Sequence, residues 1–244
     1  MAFYERGNAR IHYEDQGSGF PLLLLAPGGM NSTIAAWYNV APFNPITEYV
    51  DEYRVVAMDQ RNCGESMGPL DAEDPWGMFL GDQLGLLDHL GIDRCFMLGC
   101  CIGCSYILEA IRRAPRRVVA GVLEQPIGQV EDNKERMANI WVNWGTELAK
   151  QRDDLDLTAV EAFGRSMWGN RDFVFSVTRE FVRSCATPLL VMPGNDQAHP
   201  RPIGLEVADL APKAELMDEW KGSPEVIQHT IERVRGFFKT HTPG

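Results

Sequence analysis

The chain has 244 residues, 45% of them hydrophobic, which suits one α/β domain with a full core and a small insertion. Its net charge of −11, from 23 basic and 34 acidic residues, argues against nucleic acid or an anionic membrane surface as a partner. No apolar run approaches the roughly 18 residues of a membrane helix, and the stretch Met1–Gly7 lacks a basic segment followed by an apolar one, so a cytoplasmic protein without a secretory signal is expected.

Ala2–Arg6 and Ala9–Glu14 flank Gly7-Asn8 and read as a hairpin. Pro21–Leu25 is a continuous apolar run, as a strand buried on both faces requires, and it ends in the glycine loop Ala26-Pro27-Gly28-Gly29-Met30. Tyr53–Met58 is a second such strand. From Phe79 to Leu90, Leu80, Leu84, Leu87 and Leu90 form a helical stripe that Gly91 stops. Cys95–Leu98 reads as a strand running through Gly99 into a helix, Gly103–Arg113. Val118–Leu123, Pro188–Met192 and Ala214–Trp220 complete the strands. An amphipathic helix from Pro224 to Lys239, with Ser223 as its N-cap, ends the pattern.

This alternation predicts an α/β fold with a mostly parallel sheet covered by helices on both faces. Residues 125–184 break the alternation. They hold helical patterns at Asn133–Lys150, Leu157–Trp168 and Asp172–Ser184. A helical cap at 125–184, inserted in a core of residues 1–124 and 185–244, is therefore expected.

The six cysteines, Cys63, Cys95, Cys100, Cys101, Cys104 and Cys185, cluster around one site and are not spread like a disulfide framework, so reduced thiols are expected. The segment Gly99-Cys100-Cys101-Ile102-Gly103 joins a strand directly to a helix. So tight a turn strains its central residue and requires small residues two before and two after it. The central side chain then projects at a helix N-terminus, where backbone N–H groups and the dipole favour a thiolate. Cys101-Ile102-Gly103-Cys104 is also a C-x-x-C, the spacing of thiol-redox sites. The alternative is that Cys104 simply packs in the helix, with Cys100 buried on the far side of the turn.

These residues form the G-x-nucleophile-x-G elbow with cysteine at its centre. Gln16-Gly-Ser-Gly-Phe-Pro-Leu-Leu-Leu-Leu-Ala-Pro-Gly-Gly29, Val55-Val-Ala-Met-Asp-Gln-Arg-Asn-Cys-Gly-Glu-Ser66 and Asp82–Ile92 resemble the flanking segments of the α/β-hydrolase fold superfamily. The resemblance covers essentially the whole chain outside the cap and implies the α/β-hydrolase fold. In triad type, though not in flanking sequence, the chain resembles the cysteine-dependent dienelactone hydrolases.

The resemblance implies an acyl-transfer site, with Cys101 as nucleophile and the backbone N–H groups of Gly29 and Ile102 as oxyanion donors. Met30 would line the pocket. The expected acid is Asp196, within Pro188–Pro200, with Glu124 as an alternative. The family's histidine belongs in the loop Asp218–Ser223, which has none. His12, His89, His229 and His241 lie on elements that this fold places away from the nucleophile. His199, three residues past Asp196, is therefore the candidate base, and Lys221 or Glu124 could support the cysteine instead.

The expected activity is hydrolysis of a small ester, lactone or thioester through an acyl-enzyme on Cys101, with no cofactor and no metal. A catalytically impaired binding protein and a thiol-redox protein using Cys101 and Cys104 are the alternatives. The expected partner is a small molecule with an apolar part. Trp141, Trp144 and Trp168, with Phe173 and Phe175, would line its pocket. A homodimer is left open.

Overall fold

The apolar runs become strands of one sheet in the computed structural model, which describes residues 2–169 and 173–244. The strands are β1 (Ala2–Arg6), β2 (Ala9–Gln16), β3 (Phe20–Leu25), β4 (Tyr53–Met58), β5 (Cys95–Cys100), β6 (Val118–Glu124), β7 (Leu189–Met192) and β8 (Ala214–Leu216). Among the described residues they form an eight-stranded sheet in the order β1-β2-β4-β3-β5-β6-β7-β8. The β1–β2 and β2–β4 pairs are antiparallel and the others parallel. Leu22–Leu25 and all of β5 are buried, as strands covered on both faces must be.

The helices are α1 (Ala36–Asn39), α2 (Pro45–Tyr49), α3 (Pro75–His89), α4 (Ile102–Arg113), α5 (Lys134–Ala138), α6 (Val142–Gln151), α7 (Leu157–Trp168), α8 (Arg179–Ser184), α9 (Arg201–Leu210) and α10 (Pro224–His241). Ser223 caps α10 as its sequence suggests, its Oγ accepting from the Val226 N–H at 3.4 Å. No helix among the described residues is long and apolar enough to cross a membrane.

Register aligns the strand ends that matter. Leu25 pairs with Gly99, Cys100 with Glu124, and Glu124 with Met192. The loops after β3, β5, β6 and β7 therefore leave the sheet side by side at its C-terminal edge, where ligands bind in open parallel sheets.

Three sequence expectations change. The helix expected over Asn133–Lys150 is two helices, α5 and α6, parted by Asn139-Ile140-Trp141. The indole of Trp141 lies flat on α7, where a methyl group on Gly164 would run into its ring, and this packing turns the chain between the two helices. The helix expected from Asp172, a residue outside those described, starts only at Arg179. Phe173 and Phe175 hold left-handed backbone, φ 57° and 66°, which no helix accommodates, and Thr178 then caps α8. The last strand stops at Leu216 instead of Trp220, and the Trp220 indole N–H donates to the Pro193 carbonyl at 2.8 Å.

Candidate active site

The strained turn is where the sequence puts it. Cys101 joins β5 to α4 with φ 60° and ψ −117°, and its N–H donates to the Glu124 carbonyl at 2.9 Å. The flanking glycines are required by close approach. A methyl on Gly99 would sit 2.5 Å from the Gly103 carbonyl carbon, and one on Gly103 would run into the Leu25 carbonyl oxygen. The side chain of Cys101 is buried, 6% exposed.

Asp196 and His199 come from the loop between β7 and α9. The carboxylate folds this loop onto itself by accepting from the N–H groups of Ala198 at 2.8 Å and His199 at 3.0 Å. It also holds the imidazole, with His199 Nδ1 at 2.9 and 2.8 Å from the two carboxylate oxygens. This orientation leaves Nε2 for Cys101. Nε2 is buried and makes no fully formed hydrogen bond, yet ring and sulfur are near enough to shift each other's titration.

Cys101 and His199 each shift the other toward its charged form. Burial pushes the Cys101 thiol up. The His199 side chain, by hydrogen bonding and charge, and then the backbone N–H groups of Gly28 and Ile102 outweigh burial and hold the thiol below its ordinary value. Burial likewise pushes His199 down, but Cys101 first and Asp196 second raise it to about 9. Asp196 feels burial upward, and His199 and the loop amides bring it below the ordinary carboxylate range. The other thiols behave oppositely. Burial pushes Cys63 and Cys95 up to about 12 and raises Cys100, Cys104 and Cys185 as well.

The remaining candidates fall into place around this pair. Backbone N–H groups of Gly28 and Ile102 act on the Cys101 sulfur, and Gly29, the expected oxyanion donor beside Ile102, is the next residue of the loop after β3. Both glycines of that loop hold positive φ, 121° at Gly28 and 57° at Gly29. Glu124 is fully buried behind the elbow, register-paired with Cys100, and burial raises its carboxyl to about 8. It bonds neither Asp196 nor His199 among the described residues. Lys221 donates to the Gln125 side chain at 2.7 Å, and Gln125 in turn approaches the Cys100 sulfur at 3.6 Å. Gln125, with φ 41°, is a residue the sequence did not single out. The Cys104 thiol donates to the Gly99 and Glu124 carbonyls, both at 3.2 Å.

The tryptophans are packed tightly. Trp168 is fully buried, and its indole N–H donates to the Met30 sulfur at 3.2 Å. Trp144 donates to the Asn62 carbonyl at 3.1 Å, and Trp141 to that of Ala138 at 3.1 Å. Trp144 also forms one wall of a cavity of about 300 Å³ that includes Asn31, Asn62 and Gln151. Phe173 and Phe175 are buried, Phe175 edge-on to Trp168. Among the described residues, no group of His, Cys, Asp and Glu could hold a metal ion.

The strained cysteine turn between strand and helix and the order of strands define the molecule, and the family model described as alpha/beta hydrolase fold matches residues 21–170, more than half of the chain. The chain belongs to the alpha/beta hydrolase fold family. It is 30% identical over 152 residues to 2-hydroxymuconate semialdehyde hydrolase of Pseudomonas sp. (strain CF600), covering 62% of this chain and 52% of that protein. It is 36% identical over 92 residues to epoxide hydrolase 4 of Mus musculus, covering 37% of this chain and 24% of that protein. The match thus spans about half or less of the length of these relatives. Among solved structures, the meta-cleavage product hydrolase of Pseudomonas fluorescens IP01 superposes with a TM-score of 0.70 at 21% identity, over 96% of each chain. The enol-lactonase of Burkholderia xenovorans LB400 superposes with a TM-score of 0.69 at 19% identity, over 98% of this chain and 100% of that one. At these identities the superpositions establish the fold alone.

Proposed function

We propose that this alpha/beta hydrolase is a cysteine hydrolase of small esters, lactones or thioesters, working through an acyl-enzyme on Cys101. The observation that carries the reading is the His199 ring, fixed through Nδ1 by Asp196 and acting on the Cys101 sulfur from the acid's own loop. It supplies imidazole where the loop before α10 has none.

The reaction starts from the ion pair. The Cys101 thiolate attacks the substrate carbonyl, and the developing oxyanion is held by the N–H groups of Gly29 and Ile102. The C–O or C–S bond breaks as His199 gives its proton to the leaving alkoxide or thiolate. The neutral ring then takes a proton from water, which attacks the thioester. Collapse of the second oxyanion releases the carboxylic acid and restores thiolate and imidazolium. Asp196 fixes the ring and stabilises its charge throughout. The names of related proteins, a semialdehyde hydrolase and an enol-lactonase, favour a small carbonyl substrate. Residues 125–184 would act as a cap over the strand ends that carry the site.

The test is a pair of variants. Cys101→Ala should abolish turnover of p-nitrophenyl acetate, and His199→Ala should lower it by at least about 10², the smaller end of general acid–base contributions. Near-native turnover in His199→Ala would overturn the role given to the displaced histidine.

A further inference from the structure

The three tryptophans have the size to shape a pocket, but each is committed elsewhere by a hydrogen bond or by packing. A smaller side chain stands nearer the chemistry. The break between α5 and α6 turns Ile140 toward the oxyanion loop. A methyl group on Gly29 would lie 3.6 Å from Ile140 Cδ1 and 4.0 Å from its Cγ1, so the isoleucine lies over the Gly29 face within van der Waals reach of one added carbon. Gly29 lies in the loop that leaves β3 after Leu25, which is register-paired with Gly99 of the elbow. Ile140 is half-buried and not sealed into the core.

From this placement we infer that Ile140 is the specificity-determining residue of the site and that the substrates favoured carry a short acyl chain. The inference rests on the function proposed above. On that reading the carbonyl oxygen is held by the N–H groups of Gly29 and Ile102, and a carbon substituent lying along the Gly29 face meets Ile140. The wall is stiff. Isoleucine has a restricted χ1. Its neighbour Trp141 is pinned against α6 and α7, where methyl groups on Gly145 and Gly164 would collide with Val160 and with the indole itself. A longer acyl chain cannot push Ile140 aside without unpacking Trp141.

The experiment follows acylation in a single turnover, by p-nitrophenolate release from p-nitrophenyl acetate and p-nitrophenyl hexanoate. Ile140→Ala should raise the hexanoate-to-acetate rate ratio at least about ten-fold, since one methylene in an apolar pocket changes selectivity by about 10–200-fold. Ile140→Val should move the ratio the same way by less, and it guards against misfolding in the alanine variant. Alkylation of Cys101 by iodoacetamide should keep its wild-type rate in both, which separates a steric role from damage to the ion pair. An unchanged ratio in both variants, with release still abolished by Cys101→Ala, would overturn the role of Ile140 and leave the proposed function standing. No release from either ester by the wild type, or undiminished release by Cys101→Ala, would overturn the proposed function and this inference with it.

Discussion

At the scale of single residues, the proposed chemistry turns on one geometric fact: Asp196 and His199 share a four-residue turn. Asp196 bonds both the backbone and the ring of His199, so the loop carries its own base wherever it goes. The pH behaviour follows from the directions of the shifts. Cys101 ionises below its ordinary value and His199 holds its proton up to about 9, so the reactive ion pair occupies the window between them. The pH–rate profile should rise through the Cys101 ionisation and fall near pH 9, as the proton needed by the leaving group is lost. In His199→Ala the burial of Cys101 is opposed only by the backbone N–H groups of Gly28 and Ile102. Its thiol should then titrate above the ordinary value, which the pH dependence of iodoacetamide alkylation reads directly. A midpoint that stays put would mean that the helix N-terminus, and not the imidazole, makes the thiolate. Cys101→Ser should keep the fold and lose most activity, since a hydroxyl is not ionised by the same surroundings.

At the scale of elements, the strand ends bring groups together that the mechanism leaves unused. Glu124 closes β6 directly behind the elbow, fully buried, with no N–H or O–H donor on its carboxyl among the described residues. Burial raises it to about 8, opposed in part by the Cys100 thiol. The sign of the linkage is fixed by this. Between about pH 4.5, where the unfolded chain loses this proton, and about pH 8, the folded protein binds more protons than the unfolded one, so rising pH destabilises it. Glu124→Gln removes that loss. Its stability relative to wild type should grow between pH 5 and pH 8 by up to a few kcal/mol, judged from urea midpoints at the two values. A constant difference would mean that the carboxyl is already ionised in the fold. The elements also show what sequence could tell. The central strands announced themselves by apolar runs, β1 and β2 by the turn between them, and the elbow by two glycines that steric contact demands. The break at Asn139-Ile140-Trp141 was not legible because it arises from the fit of Trp141 against α7, a contact between residues distant in sequence. Gly164→Ala would place a methyl in that ring and should cost at least about 1–3 kcal/mol in urea unfolding, as overpacked cores do.

At the scale of the whole molecule, the question is whether the helices between β6 and β7 open independently of the sheet. The contacts argue that they do not. Trp168 bonds the sulfur of Met30 on the oxyanion loop, and Trp144 bonds the Asn62 carbonyl on the loop after β4. Arg152 donates to the Asn62 side chain at 2.8 Å and to the Gly68 carbonyl at 2.7 Å. Ser105, on the helix that follows the nucleophile, donates to the Val174 carbonyl, and Ser176 donates back to the Ser105 carbonyl, both at 2.8 Å. These bonds reach the oxyanion loop, the loop after β4 and α4, so parting the helices from the sheet would disturb the parts that build the site. Segments coupled this tightly unfold as one unit in single domains of moderate size. Urea unfolding should therefore show one transition, coincident by far-UV circular dichroism and by tryptophan fluorescence, to which Trp141, Trp144 and Trp168 contribute. The alkylation rate of Cys104, a thiol buried at the base of α4, should rise at that same urea concentration. A fluorescence change at lower urea, with Cys104 still protected, would show that the helices part from the sheet first and that access to Cys101 is gated by their opening.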